Sequence, residues 1–512
     1  MFFHKIIPFE KAPLLFQRLK KRGRKIVQCH GTFDLIHPGH IHHLEEAKSL
    51  GDILVATATD ENHVNKGPGR PYFNDELRAR TLSALECVDY VVMIPFTGAV
   101  EAIECVRPDI YCKGREYEDP AHDVTGRIHE DVAAVKRCGG RMSYVGDVVF
   151  SSTRLINQHL QPLPKPVREF CSKLADRFSP ADVREAVEGF SKLRVLIIGD
   201  IIMDRYSYLT VQGLTSKNRI ISGRYLREET QAGGALAVYR HVKQFTRNVK
   251  LVGLVGTEPW LRRDLRRFLD IRDDWLFRDA AFTTVVKQRF VEPLSEGKEL
   301  SKLFAVNFLA AEQPRPALHR AILHRIEREI RRFDLVMVAD FGHGLLQDQV
   351  RKLVQEKSPF LALNCQTNSA NHGFNIISRQ YQRVDAFSLD AQELLLSCGR
   401  RHIHFAGELS SLRRKLKSSY AWLTRGAVET IGLQAGGASC LCPPFENEVT
   451  DTVGAGDAFF SIASLAAKQK LPISLATFLG QLAGAQAVKI VGNSRPISKD
   501  KLLKGGMSLL NL

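Results

Sequence analysis

Apolar and polar positions along the chain fall into two series of short β-rich runs alternating with helical ones. In the first series Lys25-Ile-Val-Gln-Cys29 reads as a strand, His40 to Leu50 as a helix and Asp52 to Ala58 as the next strand. Tyr90 to Ile94 and Asp109 to Lys113 read as later strands, each preceded by a helical segment. Strands that alternate with helices imply a parallel sheet with covered faces. After Ile156 the chain reaches Pro162, Pro164 and Pro166, a spacing that continues neither a helix nor a central strand. A second series starts at Leu193-Arg-Val-Leu-Ile-Ile-Gly-Asp200. In it Thr283 to Val291 and Leu303 to Phe308 are β-rich with no helix between them, which predicts antiparallel strands projecting from the main sheet. The pattern predicts an α/β protein with a domain over residues 1–160, a proline-rich linker over 161–192 and a second domain over 193–512.

Composition changes this picture little. A chain of 512 residues is too long for one ordinary domain, and 44% hydrophobic with 25% charged residues is the balance of a folded protein. The opening Met-Phe-Phe-His-Lys-Ile-Ile-Pro carries no apolar stretch of secretion-signal length. The longest apolar runs, Val195 to Ile198 and Ile201 to Met203, are broken by Gly199-Asp200, well short of the roughly 20 residues of a membrane span. A cytoplasmic location with no membrane partner is the expectation. Ten scattered cysteines give neither a disulfide framework nor a zinc ribbon, and Cys440-Leu-Cys442 reads as ordinary strand cysteine.

Charge is the one unusual feature. The formal net charge is +16. Its basic residues sit in helix-like clusters, such as Arg262-Arg263 with Arg266-Arg267, interleaved with acidic ones as on solvated helix faces. Without an interleaved aromatic platform or a nucleic-acid motif, no nucleic-acid partner is expected. Phosphorylated substrates are the more economical use of positive charge.

The segment Gly31-Thr-Phe-Asp-Leu-Ile-His-Pro-Gly-His40 follows a strand and opens a helix. That arrangement turns backbone N–H groups and a helix N-terminus toward phosphate. His37 and His40, three residues apart, share a face and can donate to phosphate oxygens. A zinc site built on His37, His40, His42 and His43 lacks a cysteine or carboxylate to complete it.

These residues resemble the HxGH signature of the cytidylyltransferase-like nucleotidyltransferases, over about residues 25–160. Lys66-Gly-Pro-Gly-Arg-Pro71, the stretch Arg78 to Tyr90, Cys112-Lys-Gly114 and Ser151-Ser-Thr-Arg-Leu-Ile156 match further elements of that family in order. The resemblance implies a Rossmann-like domain in which a substrate phosphate attacks the α-phosphate of a nucleoside triphosphate and pyrophosphate leaves. It assigns the cradle Gly31, Thr32 and Phe33 and the pair His37 and His40 to the triphosphate. Lys66 and Lys113 would neutralise charge, and Ser151, Ser152 and Thr153 would hold phosphates. Asp34 would lie near the substrate or metal, with Mg²⁺ bridging phosphates. The family's arginine ahead of the Ser-Ser/Thr-Thr element is replaced by Val149-Phe150.

Near the other end stands Val449-Thr-Asp-Thr-Val-Gly-Ala-Gly-Asp-Ala-Phe-Phe460. Glycines before a helical run expose N–H groups as an anion hole, and an aspartate there can take a proton from a substrate hydroxyl. The stretch resembles the DTxGAGD signature of the PfkB/ribokinase sugar kinases, whose fold is a three-layer α/β domain with a β lid, over about residues 193–503. The resemblance makes Asp457 the general base and Gly454, Ala455 and Gly456 the anion hole. Asp204, Gly233 and Gly234 would hold the sugar, and Thr424 to Gly426 would lie beneath ATP. Asp340-Phe-Gly-His-Gly344 resembles a further family element. Asp390 and Glu393 stand where the family carries Asn-x-x-Glu, linked to Mg²⁺. The asparagine expected after the glycine pair is absent from Ala235-Leu-Ala-Val238.

Together the halves resemble the bifunctional heptose kinase/adenylyltransferases of ADP-heptose synthesis, with the two domains in reversed order. Phosphorylation of a heptose phosphate at the anomeric hydroxyl, followed by AMP transfer from ATP to a heptose 1-phosphate, is what this implies. The alternative is a cytidylyltransferase using CTP and a small polyol or sugar phosphate, with the kinase-like half a sugar-binding module. The kinase family also implies a homodimer formed through the lid.

Overall fold

The computed structural model describes residues 3–67, 70–115, 118, 128–146, 163–269, 275–293, 300–309, 314–367, 373–446 and 448–511. Contacts divide the chain into two compact units, residues 1–168 with 503–512, and residues 169–502. The last ten residues, read from sequence as part of the second domain, thus belong with the first unit. The stretch read as a linker carries two helices, Lys165–Ala175 and Pro180–Gly189. Pro166 and Pro180 sit in the first turns of these helices, where proline is tolerated. Ser179 and Asp182 close a reciprocal cap on the second of these helices.

The first unit holds a parallel sheet of β1 (Ile26–Gly31), β2 (Ile53–Thr59), β3 (Tyr90–Ile94), β4 (Ile110–Gly114) and β5 (Arg141–Val145). Their order is β3-β2-β1-β4-β5. Every predicted strand of this half is present within two residues of its expected ends. β2 is buried along its whole length, as a strand covered on both faces must be. The helix Pro38–Ser49 lays Leu44 and Ala47 into the core on one face, with Val27, Leu54 and Ala56. Because β1 lies between β2 and β4, the strand order reverses at its carboxyl end. Ligands of open α/β sheets bind at such a point, and Gly31 and Gly114 both end there.

The second unit is built on β6 (Val195–Gly199), β7 (Ile201–Leu214), β8 (Ile221–Gly234), β9 (Val249–Val255), β10 (Leu276–Arg278), β11 (Val285–Glu292), β12 (Ser301–Phe308), β13 (Leu335–Asp340), β14 (Leu361–Cys365), β15 (Ala386–Asp390), β16 (Tyr420–Thr424), β17 (Thr430–Gln434) and β18 (Ser439–Cys442). Nine of them form the main sheet, β10-β9-β6-β13-β14-β15-β16-β17-β18, parallel as far as β16 and antiparallel beyond. Its strand order reverses at β6, between β9 and β13. A separate sheet, β12-β11-β7-β8, holds the strands expected to form a lid. β11 and β12 pair antiparallel, as the alternation predicted. Cys440 and Cys442 lie buried on the edge strand β18. Among the described residues no helix is long and apolar enough to cross a membrane.

Candidate active sites

In the first unit the chain leaves β1 at Gly31 and turns through Phe33, which holds a left-handed φ of 47°. A bulky side chain in that region costs on the order of 1–3 kcal/mol and persists where the surroundings over-determine it. His37 caps the helix Pro38–Ser49, with Pro38 at a position whose N–H needs no partner. The His37 and His40 rings lie 3.9 Å apart, tilted by 31°, and Phe33 meets His40 edge-on at 5.6 Å. Burial, then the charges of His37 and Lys66, push His40 down to about 3. Burial and Lys66 also lower His37. Both rings are therefore neutral at pH 7 and offer N–H donors rather than charge. Burial, with Arg70 and Lys504 beside it, lowers Lys66 to about 8. Lys504 comes from the terminal segment, and its charge at this site has no signature in the sequence.

Asp34 does not open onto the surface of the site. Its oxygens accept from the N–H groups of Tyr72 at 2.8 and 2.9 Å and of Phe73 at 3.0 Å, and Arg70 lies 3.1 Å away. Both side chains of this pair are almost fully buried. The carboxylate thus anchors the loop that carries Lys66. Arg78, also buried, donates to the carbonyls of Thr32 at 2.6 Å and Thr59 at 2.8 Å, tying the ends of β1 and β2. At the end of β4, Lys113 pairs with Asp131 at 2.9 Å. Gly31, Thr32, Phe33, His37, His40, Lys66 and Lys113 share the carboxyl edge of the sheet. Ser151, Ser152 and Thr153 lie outside the described residues.

In the second unit one cavity of about 630 Å³ is lined by Asp204, Gly234, Asp390, Glu393, Thr424, Gly426, Gly454, Ala455, Gly456 and Asp457. Sequence reasoning had named all of these. Gly454 holds φ at 88° and caps the helix Ala455–Lys468, placing Asp457 in its first turn. A Cβ on Gly454 would lie 2.3 Å from the Asn493 side chain. Gly233 admits Asp204 in the same way, since a Cβ there would meet Asp204 Oδ2 at 2.4 Å. Burial, then Asp204, raises Asp457 to about 7, while Lys287 and a hydrogen bond from Gln366 Nε2 at 3.3 Å oppose the rise.

Among the lining residues that sequence reasoning missed are Lys287, Arg289, Asn364 and Gln366. Lys287 and Arg289 alternate along β11, whose register sets Lys287 opposite Asp204. Arg289 Nη1 is ion-paired with Asp204 Oδ1. Lys287 lies over the Phe341 ring at 5.4 Å, and burial lowers its pKa against the pull of Asp204 and Asp457. The alternation was visible in the sequence, but not which face would line a pocket. Asp390 and Glu393 form a reciprocal helix cap, each side chain accepting from the other's N–H at 2.8 Å. Thr367 N also reaches Glu393, and burial lifts Glu393 to about 8. Among the described residues no group of three or more His, Cys, Asp or Glu could hold a metal ion. Ala235 to Val238 are buried at the start of a helix, with no carboxamide among them.

Residues 29–159 match the cytidylyltransferase-like family model. The bifunctional protein HldE of Desulfatibacillum aliphaticivorans is 37% identical over 155 residues, 30% of each chain. That of Helicobacter pylori strain HPAG1 is 42% identical over 115 residues, 22% of this chain and 24% of the relative. The chain thus spans less than a third of the length of these relatives. Among solved structures, Escherichia coli phosphofructokinase-2 in complex with substrates and products aligns over 62% of this chain and 99% of its own, at 13% identity and TM-score 0.49. Arabidopsis thaliana ribokinase, solved with ribose and ATP, covers 62% of this chain and 98% of its own, at 16% identity and TM-score 0.47. Residues 29–159 of this chain are a cytidylyltransferase-like domain.

Proposed function

We propose that the chain is a bifunctional transferase, a sugar kinase in its second unit and a sugar-phosphate nucleotidyltransferase in its first. The observation that carries the kinase is the cavity in which Asp457, Asp204, Lys287 and Arg289 meet a glycine-led helix start. A sugar hydroxyl placed between Asp204 and Asp457 gives its proton to Asp457 as its oxygen attacks the γ-phosphorus of ATP, and the bond to the departing ADP breaks. First-turn N–H groups of the helix Ala455–Lys468 face the charge that develops on the phosphoryl oxygens. Lys287 and Arg289 favour a sugar that already carries phosphate, which fits a heptose phosphate phosphorylated at its anomeric hydroxyl. Magnesium held mainly by the nucleotide's phosphates would neutralise charge there, with Asp390 Oδ2 the carboxylate oxygen its helix cap leaves over.

In the first unit the attacking group is itself a phosphate, so no base is required. An oxygen of a heptose 1-phosphate attacks the α-phosphorus of ATP, and the bond to the departing pyrophosphate breaks. His37 and His40 donate N–H bonds to the phosphates, while Lys66 and Lys113 offset the charge that builds on the leaving group. Asp34 acts at one remove, by fixing the Lys66 loop through Arg70, Tyr72 and Phe73. The product would be ADP-heptose, made in the cytoplasm. Leu214, Tyr225, Phe304 and Phe308 leave apolar side chains exposed on the lid strands, which supports a homodimer formed through the lid.

Purified protein with Mg²⁺ and either ATP or CTP, offered heptose 7-phosphate, heptose 1-phosphate and glycerol 3-phosphate, tests this by mass spectrometry of the products. A heptose bisphosphate together with ADP-heptose supports both activities. A CDP-linked product without sugar-dependent ADP supports the second reading, favoured by the missing carboxamide at Ala235–Val238: a cytidylyltransferase with a sugar-binding module.

A further inference from the structure

Asp451 stands three residues ahead of Gly454 and takes no place among the cavity's lining residues. Its carboxylate is nonetheless completely buried and accepts four bonds. Two come from its own side of the fold, Val453 N at 3.0 Å and Gly492 N at 2.9 Å. The other two come from the lid, the Tyr206 hydroxyl on β7 at 2.9 Å and Lys302 Nζ on β12 at 2.6 Å. Tyr206 lies two residues beyond Asp204 on β7. The Arg289 guanidinium that pairs with Asp204 sits 5.5 Å from the Tyr206 ring. Leu300 N also reaches Thr450 O at 3.3 Å, beside the same joint. On the far side, Gly492 is followed by Asn493, whose side chain closes on Gly454 and whose N–H donates to Gln231 Oε1 at 2.8 Å. Gln231 is the β8 residue paired with Asp204.

A buried carboxylate needs a counter-charge and a full set of donors to be tolerated at all. Here two of its donors, and its one ion-pair partner among the described residues, lie on the lid rather than on the loop it belongs to. We propose that Asp451 is a positioning residue. Through Tyr206 and Lys302 it fixes the strands that hold the sugar in register with the loop that holds the phosphoryl group. Seating of the sugar and alignment of the anion hole are then one event, because neither the lid nor the loop can shift without breaking a buried, charged contact. This deepens the kinase reading above and rests on it.

The test uses the full chain with Lys302→Met, Tyr206→Phe and the conservative Lys302→Arg. Asp451→Asn serves as a fourth variant if it folds. Lys302→Met is expected to lower kcat for sugar phosphorylation roughly tenfold and to raise the sugar KM several-fold, the scale of a misalignment below about 1 Å. ATP hydrolysis without sugar should form a larger share of the turnover, and Lys302→Arg should recover most of the loss. Unchanged kcat and KM in both Lys302→Met and Tyr206→Phe would overturn the proposal, as would a loss tracking only a lower melting temperature. Amide exchange in the apo-protein separates this from the kinase reading. If the wild type phosphorylates no sugar, the kinase reading falls. The joint is still supported if Lys302→Met speeds exchange in residues 301–308 and 451–457 together, and it fails if only 301–308 respond.

Discussion

In the proposed reading both units present the N-terminus of a helix to phosphate, yet they surround it with opposite chemistry. At the helix Pro38–Ser49 the neighbours are neutral histidines and lysines, and the nearest carboxylate, Asp34, is buried against Arg70. At the helix Ala455–Lys468 a carboxylate stands in the first turn itself, in a cavity where Asp204 and Asp457 face Lys287 and Arg289. On that reading the difference follows from what attacks. A phosphate arrives as an anion and needs only positive surroundings, whereas a hydroxyl must lose a proton and needs a base whose pKa lies near the working pH. A helix start therefore marks a place for phosphate, and the side chains around it decide which reaction runs there.

Exchanging one residue at each helix start should separate the two activities most sharply. Asp457→Asn is expected to reduce sugar-dependent ADP formation by about 10³-fold, within the range for loss of a general base, while pyrophosphate release stays at the wild-type rate. His40→Ala should do the converse, lowering pyrophosphate release by about 10²-fold for one lost phosphate donor, with ADP formation unchanged. Loss of both activities in either folded variant would contradict the assignment of one reaction to each unit.

The two activities should also respond to pH in opposite directions. With Asp457 raised to about 7, the kinase kcat/KM is expected to climb roughly tenfold per unit up to neutrality and then level, because only the ionised carboxylate accepts the proton. With Lys66 lowered to about 8, the transferase should decline above that pH as the ammonium is lost. His40, already neutral, adds no limb between pH 5 and 8. Parallel profiles for the two reactions would break the contrast between a base-dependent and a charge-dependent site.

Much of this contrast was legible in the sequence, for a physical reason. Helix starts that bind phosphate use local backbone geometry, so Gly31 to His40 and Gly454 to Asp457 announce themselves within a dozen residues. Strand alternation likewise gave β1 to β5 and the β11–β12 pair. What stayed hidden depends on long-range register. Lys287 reaches Asp204 only because β11 pairs with β7, and Lys302 reaches Asp451 across nearly 150 positions of chain. Lys504 was read as part of the second domain, though its charge acts on Lys66 in the first unit. Asp34 was assigned to substrate by its place in a motif, but its bonds to the 70–73 loop depend on how that loop returns over it.

Asp34 offers a finer cut through the first site. If it positions the Lys66 loop, Asp34→Asn should raise the nucleotide KM several-fold with a smaller change in kcat, since the loop loosens while the reacting groups remain. A roughly hundredfold or greater fall in kcat at unchanged KM would instead place the carboxylate on the reacting atoms.

The smallest effect expected is on stability, and it also differs between the units. Asp457 is protonated more readily in the fold than in the unfolded chain, its pKa standing near 7 instead of 3.8. Its contribution is therefore favourable in acid and is lost as pH rises from about 4 through 7, where an ionised carboxylate must stay buried. Asp457→Asn removes that cost. It should stabilise the second unit at pH 8 by about 1–3 kcal/mol, some 2–4 °C for a unit of this size, and leave it unchanged near pH 4. His40 runs the other way: its pKa falls from 6.5 to about 3, so the first unit loses stability as pH drops through that window. Calorimetry at pH 5 and pH 8 should then show the variant's transition shifted more at the higher pH. Equal melting of wild type and Asp457→Asn at pH 8 would mean that Lys287 already neutralises the carboxylate in the unliganded protein, and the kinase profile should then lose its rise through pH 7 as well.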